Sequence, residues 1–220
     1  LMRHVLCWIA AATTVAVLSA APAEGVTRLE RSGTVGLSLF GAYGTVTGES
    51  RYGFDFSEGP GYGITLRYTV HPHVSLGLSF QNQSYDAIPG LTTLDADSIG
   101  IDELVATQVM ADVYFYRDRN MDASQYAMVG IGFYRPEIHL VETDDFGGDQ
   151  IIFPSENLVL SAGVGAEVFI RENWGLDLSG KVFGYFGSGR ADQEGEPPTD
   201  EGSISFGFQG QVGFIYYLLR

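Results

Sequence analysis

The stretch "SISFGFQGQVGFIYYL" (203–218) separates, residue by alternate residue, into two unlike sets. Ile204, Phe206, Phe208, Val212, Phe214, Tyr216 and Leu218 fall on one side, and Ser203, Ser205, Gly207, Gln209, Gln211 and Gly213 on the other. A period of two belongs to a β-strand, whose successive side chains leave a pleated backbone on opposite faces. The alternation occurs in eight stretches, at 34–45, 61–70, 74–85, 104–116, 124–138, 157–170, 174–186 and 203–218. Charged residues make up only 18% of the chain, which favours strands and turns over helices with charged surfaces.

The composition of the two faces decides what each one meets. Leu158, Leu160, Ala162, Val164, Ala166, Val168 and Ile170 stand opposite Ser161, Gly163, Gly165 and Glu167. Val74, Leu76, Leu78 and Phe80 stand opposite Ser75, Gly77, Ser79 and Gln81. A soluble barrel or sandwich would hide the apolar face and coat the other with charge. Here the polar face is Gly, Ser, Gln and isolated ions, the composition of a crowded polar interior, so the apolar face is expected to meet lipid. After residue 23 no apolar run is long enough to span a bilayer as a helix, and lipid offers no partner to an unpaired backbone group, so such a chain must close into a barrel.

The connections alternate too. Residues 71–73, 117–123 and 171–173 are short links, whereas 46–60, 86–103, 139–156 and 187–202 are long. Short turns at one end and long loops at the other are the pattern of an outer-membrane barrel. The fold expected is all-β, an eight-stranded antiparallel up-and-down transmembrane β-barrel over 34–220. Trp174, Tyr68, Tyr62, Phe80, Phe133, Phe186, Phe214 and Tyr216 are expected on its outer face as an interfacial girdle.

Residues 1–23 read as a cleaved export signal: Arg3 and His4, the apolar "VLCWIAAATTVAVLSA", then Ala21-Pro22-Ala23 with small residues where a peptidase cuts. Residues 24–33 form a short periplasmic lead. The only cysteine, Cys7, leaves with the signal, so the mature chain has no disulfide.

"SAGVGAEVFIRENWGLDLSGKVFGY" (161–185) and the closing "GQVGFIYYL" (210–218) resemble the small outer-membrane β-barrel superfamily that contains the OmpA-like transmembrane domain and the opacity-type porin-like proteins. The resemblance implies a bacterial outer-membrane location, contact with outer-membrane lipid and lipopolysaccharide, and recognition by the barrel-assembly machinery during biogenesis. It also implies a structural or surface-interaction role through the outer loops, with a narrow porin-like channel for small solutes or ions as the alternative. The final residues Leu218, Leu219 and Arg220 depart from the terminal aromatic usual in such families. No peptidoglycan-binding domain is expected beyond the last strand.

An eight-stranded barrel has room inside only for its own side chains. Alternation places Arg67, Asp112, Glu167, Asp177 and Lys181 on the inner face, and buried ions need partners. These five are expected to form an ionic cluster in the lumen, joined by Gln108, Gln209 and Gln211.

Eighteen of the 27 carboxylates lie in the four long connections, opposed there only by Arg51 and Arg190. The net charge of −15 falls by one when Arg3 leaves, which excludes a basic nucleic-acid interface. Acidic outer loops can attract a cationic extracellular ligand. "DADSIGIDE" (95–103) opens like a calcium loop but has Ile99 at the fifth position and Ala106 at the twelfth, where oxygen ligands belong. Neither a metal site nor a cofactor is expected. His71 and His73 sit in a short turn and His139 starts a long connection, none of them in a nucleophile–base arrangement, so no enzyme is expected.

Overall fold

In the computed structural model, residues 32–47, 58–86, 101–119, 123–140, 151–152, 157–171, 173–187 and 203–218 are described. The export segment, the turn at 120–122 and most of the four long acidic connections, with most of their carboxylates and the 95–100 part of the calcium-like stretch, lie outside those residues. Each alternating stretch is a strand: β1 (Val35–Thr47), β2 (Glu58–His71), β3 (Val74–Asp86), β4 (Ile101–Arg119), β5 (Ala123–Leu140), β7 (Asn157–Arg171), β8 (Trp174–Gly187) and β9 (Ser203–Leu218). A two-residue β6 (Ile151–Ile152) lies between β5 and β7 in sequence and pairs with β5.

All neighbouring strands pair antiparallel, and the sheet closes because β4 pairs with β5 and β1 with β9. Ladder partners can be followed once around the barrel, from Gly36 through Arg67, Gly77, Asp112, Gly130, Ser161, Phe183 and Gly207 back to β1 at Val46. The return is ten residues further along β1, and a stagger of that size on eight strands tilts them by about 40°.

Several boundaries differ from the sequence reading, β1 running to Thr47 and β2 starting at Glu58. The stretch 139–156, expected as a plain long connection, contains β6, with Ile151 and Ile152 opposite Ile138 and Glu137. Strands β4 and β5 begin and end beyond the expected 104–116 and 124–138, reaching Ile101 and Leu140, which are themselves paired. Alternation is a contrast between two faces and fades where charged residues such as Arg117 and Arg135 take outward positions, whereas the backbone ladder continues.

The faces divide as the pleat requires. Leu39, Tyr62, Leu78, Phe133, Val164 and Phe214 point outward and are exposed, while Ser38, Thr65, Gln81, Gln83, Gln108 and Glu167 point inward and are buried. No helix among the described residues is long and apolar enough to cross a membrane; the apolar surface belongs to the strands. Of the expected girdle, Trp174, Tyr68, Tyr62, Phe80, Phe133 and Phe214 are exposed. Phe186 and Tyr216 are half-buried, and the Tyr216 ring lies against Trp174 with centroids 4.8 Å apart.

The interior is more aromatic than the strand faces suggested. Tyr114, Tyr116, Tyr126 and Met128 form one buried cluster, and Met110, Val159, Phe183 and Tyr185 another. Two glycines beside Arg67 in the ladder make room for interior tyrosine rings. A Cβ at Gly77 would stand 2.7 Å from the Tyr114 ring, and one at Gly36 would stand 2.9 Å from the Tyr217 ring. Gly41 faces outward with nothing within 4 Å of such an atom. Gly77→Val is therefore expected to lower stability by about 1–3 kcal/mol through overpacking, and Gly41→Val to leave it unchanged or higher. Denaturant unfolding of the two variants in detergent micelles checks the contrast.

Candidate functional site

The lumen is filled from three directions by side chains that alternation sends inward. Arg67 on β2 crosses it completely. Its Nη1 donates to Glu167 Oε1 on β7, and its Nη2 donates to Asp177 Oδ2 on β8 at 2.7 Å. The guanidinium carbon lies 4.0 Å from the centroid of the Tyr114 ring, close enough for a cation–π contact. Arg67, Glu167 and Asp177 are all buried.

One guanidinium faces two carboxylates, and phenols supply the remaining donors. Tyr116 Oη donates to Glu167 Oε1 at 2.7 Å and Tyr217 Oη to Glu167 Oε2 at 2.8 Å. Tyr126 Oη donates to Asp177 Oδ1 at 2.5 Å. Every carboxylate oxygen of the pair thus accepts a hydrogen bond, the condition under which buried ions become tolerable.

Lys181 and Asp112 form a separate, looser group. Lys181 Nζ lies 3.4 Å from Asp112 Oδ2, which also accepts from Ser79 Oγ at 3.2 Å, and Ser161 Oγ lies 3.5 Å from Asp112 Oδ1. The five charges on the inner face therefore divide into a triad, Arg67, Glu167 and Asp177, and a pair, Lys181 and Asp112.

The glutamines do not join either group as expected. Gln209 Nε2 donates to Gln83 Oε1 at 2.8 Å, Gln211 Nε2 to Gln209 Oε1 at 3.1 Å and to Gln81 Oε1 at 3.3 Å, and Gln81 Nε2 to Gln83 Oε1 at 3.4 Å. This ring of four amides spans the lumen between β3 and β9. Gln108 pairs instead with Tyr185 Oη at 3.1 Å. An amide donates and accepts at once, so glutamines satisfy one another without drawing on the ions.

A cavity of about 10 Å³ remains beside the triad, roughly the room one water needs. Ser38, Thr65, Arg67, Asp177, Ser179 and Gln211 are among its lining residues. Arg67 Nε is buried without a hydrogen-bond partner among the described residues.

Sequence reasoning missed the tyrosines. Tyr114 and Tyr116 share the parity of Asp112, and Tyr217 the parity of Gln209 and Gln211, so the signal was present. Tyrosine is also usual on the lipid-facing girdle, so residue type gave no reason to prefer the inside. His71 and His73 are exposed in the β2–β3 turn, with ring centroids 5.7 Å apart, and the His139 side chain lies outside the described residues. Among the described residues, no three His, Cys, Asp or Glu side chains stand together as a metal site.

Residues 10–211 match the family described as outer membrane protein beta-barrel domain. No curated protein matches the chain in sequence. Among solved structures, Neisserial surface protein A (NspA) superposes with a TM-score of 0.58 at 10% identity, covering 84% of this chain and 99% of that one. Ail, the attachment invasion locus protein of Yersinia pestis, solved with the heparin analogue sucrose octasulfate, gives 0.51 at 14% identity, covering 85% and 99%. The outer membrane protein OprG from Pseudomonas aeruginosa gives 0.50 at 10% identity, covering 86% and 98%. At these identities the likeness is one of fold.

Because the triad is buried, Arg67→Met leaves two carboxylates facing each other and is expected to cost about 3–5 kcal/mol. Adding Glu167→Gln should recover part of that loss. A double-mutant cycle on unfolding free energies measures the coupling, and additive losses would show that the two side chains do not depend on each other.

Proposed function

This chain belongs to the outer membrane protein β-barrel family and lies in the bacterial outer membrane, and from that premise we propose that it is a closed, non-conducting barrel that acts through its long connections. The observation that carries this reading is the Arg67, Glu167 and Asp177 triad, braced by three phenols, beneath the four-glutamine ring. A solute passing through would have to separate charges held in low dielectric, at a cost of several kcal/mol. The barrel then serves as a rigid base, and its role is structural or one of surface interaction.

The chemistry of the connections favours a cationic partner. Eighteen carboxylates against two arginines give a field that draws positive charge and repels polyanions. Ail, of similar fold, was solved with a polyanion, sucrose octasulfate; the charge of this chain's connections favours partners of opposite sign to that ligand. The reading is non-enzymatic.

A narrow channel is the second reading. It is favoured by the water-sized polar cavity beside Arg67, Asp177 and Gln211, which would be one link of a water path if the neighbouring side chains moved.

Planar-bilayer recording on the refolded chain separates the two. A folded barrel that gives no steps, with or without Glu167→Gln and Lys181→Gln, is the expected result. Reproducible small steps whose size shifts with either substitution would replace the closed reading with the channel.

A further inference from the structure

The lipid-facing apolar surface is not equally tall around the barrel. On β8 the outward positions from Trp174 to Phe186 are apolar or glycine without a break, as are those from Leu158 to Ile170 on β7 and from Phe206 to Leu218 on β9. Each of these runs covers seven outward positions. On β3, β4 and β5 the run covers four: Val74 to Phe80, Val109 to Phe115, and Ala127 to Phe133. With a rise of about 3.4 Å per residue and a tilt of about 40°, the long runs measure about 30 Å along the membrane normal and the short runs about 16 Å. The apolar band of such barrels is normally about 25 Å tall.

Polar side chains end the short runs. Asn82, Thr107 and Arg135 are ladder partners in one row across β3, β4 and β5, all on the outward face. Asn82 Nδ2 donates to Thr107 Oγ1 at 3.3 Å. Arg135 pairs with Glu137 through Nε at 3.5 Å, with the arginine side chain 56% exposed, which leaves its outer guanidinium nitrogens to water or a lipid phosphate. At the other end of the short runs, Arg117 on β4 and Gln125 on β5 are exposed.

A rigid tilt of the barrel does not reconcile the two sides. Tilting raises one side against the other but leaves the length of each run unchanged. With the ten-residue stagger taken into account, the midpoints of the long and short sets average to the same depth within about 2 Å. The short runs therefore lose apolar height at both ends.

We propose that this barrel holds a bilayer of unequal thickness around its girth, with headgroups drawn inward beside β3, β4 and β5 and a full hydrocarbon layer kept beside β7, β8 and β9. The partner of the β3–β5 face is lipid, with water and phosphate at Asn82 and Thr107, at depths where β8 and β9 meet acyl chain; Arg135, higher by the stagger, stands level with the ends of the long runs. The polar groups of a lipid crossing between leaflets, or of a second protein inserting beside this one, meet a thinner barrier there.

Four positions test this. By the stagger, Asn82 and Phe208, three strands apart around the barrel, stand at the same depth, and so do Thr107 and Gly184, each within about 1 Å. Asn82→Cys, Phe208→Cys, Thr107→Cys and Gly184→Cys, made singly in the refolded chain, would each carry an environment-sensitive fluorophore in phosphatidylcholine vesicles. Labels at 82 and 107 are expected to be quenched by aqueous iodide and spared by bromines deep in the acyl chains, and labels at 208 and 184 to show the reverse. Equal bromine quenching at all four positions would overturn the proposal, and so would protection of 82 and 107 from both quenchers, the signature of a covering protein such as a second copy. As a second measurement, Asn82→Leu combined with Thr107→Val lengthens the short runs and is expected to move the best refolding yield to longer acyl chains. An unmoved optimum would also overturn it.

Discussion

Hydrocarbon offers no hydrogen bond, and the rest of this structure depends on that fact. Each backbone N–H and C=O in the spanning region must find its partner within the protein, and for strands only a sheet without edges meets the condition. Closure through the β4–β5 and β1–β9 ladders supplies it. Closure also fixes the stagger, and the stagger decides which inward side chains can touch. The outward apolar face and the inward polar one are then two consequences of one pleat, sorted by what lies on each side.

The interior is filled in layers of different chemistry. Ions occupy the layer where phenols are at hand: two carboxylates for one guanidinium, with the excess negative charge shared among three hydroxyl donors. Amides occupy the next layer, where they bond one another, with Gln83 also donating to the Gly59 carbonyl and Gln211 accepting from Ser179. A mainly apolar cluster of Met110, Val159, Phe183 and Tyr185 stands apart from the triad. Glycine takes part by its smallness: Gly36 and Gly77 leave the space into which the Tyr217 and Tyr114 rings lie.

Much of this was legible in the sequence because a strand's side-chain period is two. Parity alone assigns a face to Arg67, Asp112, Glu167, Asp177 and Lys181, and all five are buried. Parity carries no information about which strand stands across the lumen. That Arg67 meets Glu167 and Asp177, while Lys181 meets Asp112, follows from the ten-residue stagger, a property of the closed sheet with no local signal in any strand. For the same reason Gln108 was expected among the ions and instead bonds Tyr185. The ends of β4 and β5 were blurred because charged residues take outward positions there, Arg117 on β4 and Arg135 and Glu137 on β5, and the alternation that marks a strand needs a constant contrast.

The seam between β1 and β9 has a consequence for how the molecule comes into being. Thirteen residue pairs join the first long strand to the last, and the two acidic partners of Arg67 lie 100 and 110 residues further along the chain. Neither the wall nor its filling can be completed by a partial chain emerging from a translocation pore. Until β9 arrives, β1 is an open edge with apolar side chains, the kind of surface that pairs with strangers. A protein of this design must be kept from folding until it is whole, and its order of assembly is set by the position of its last strand.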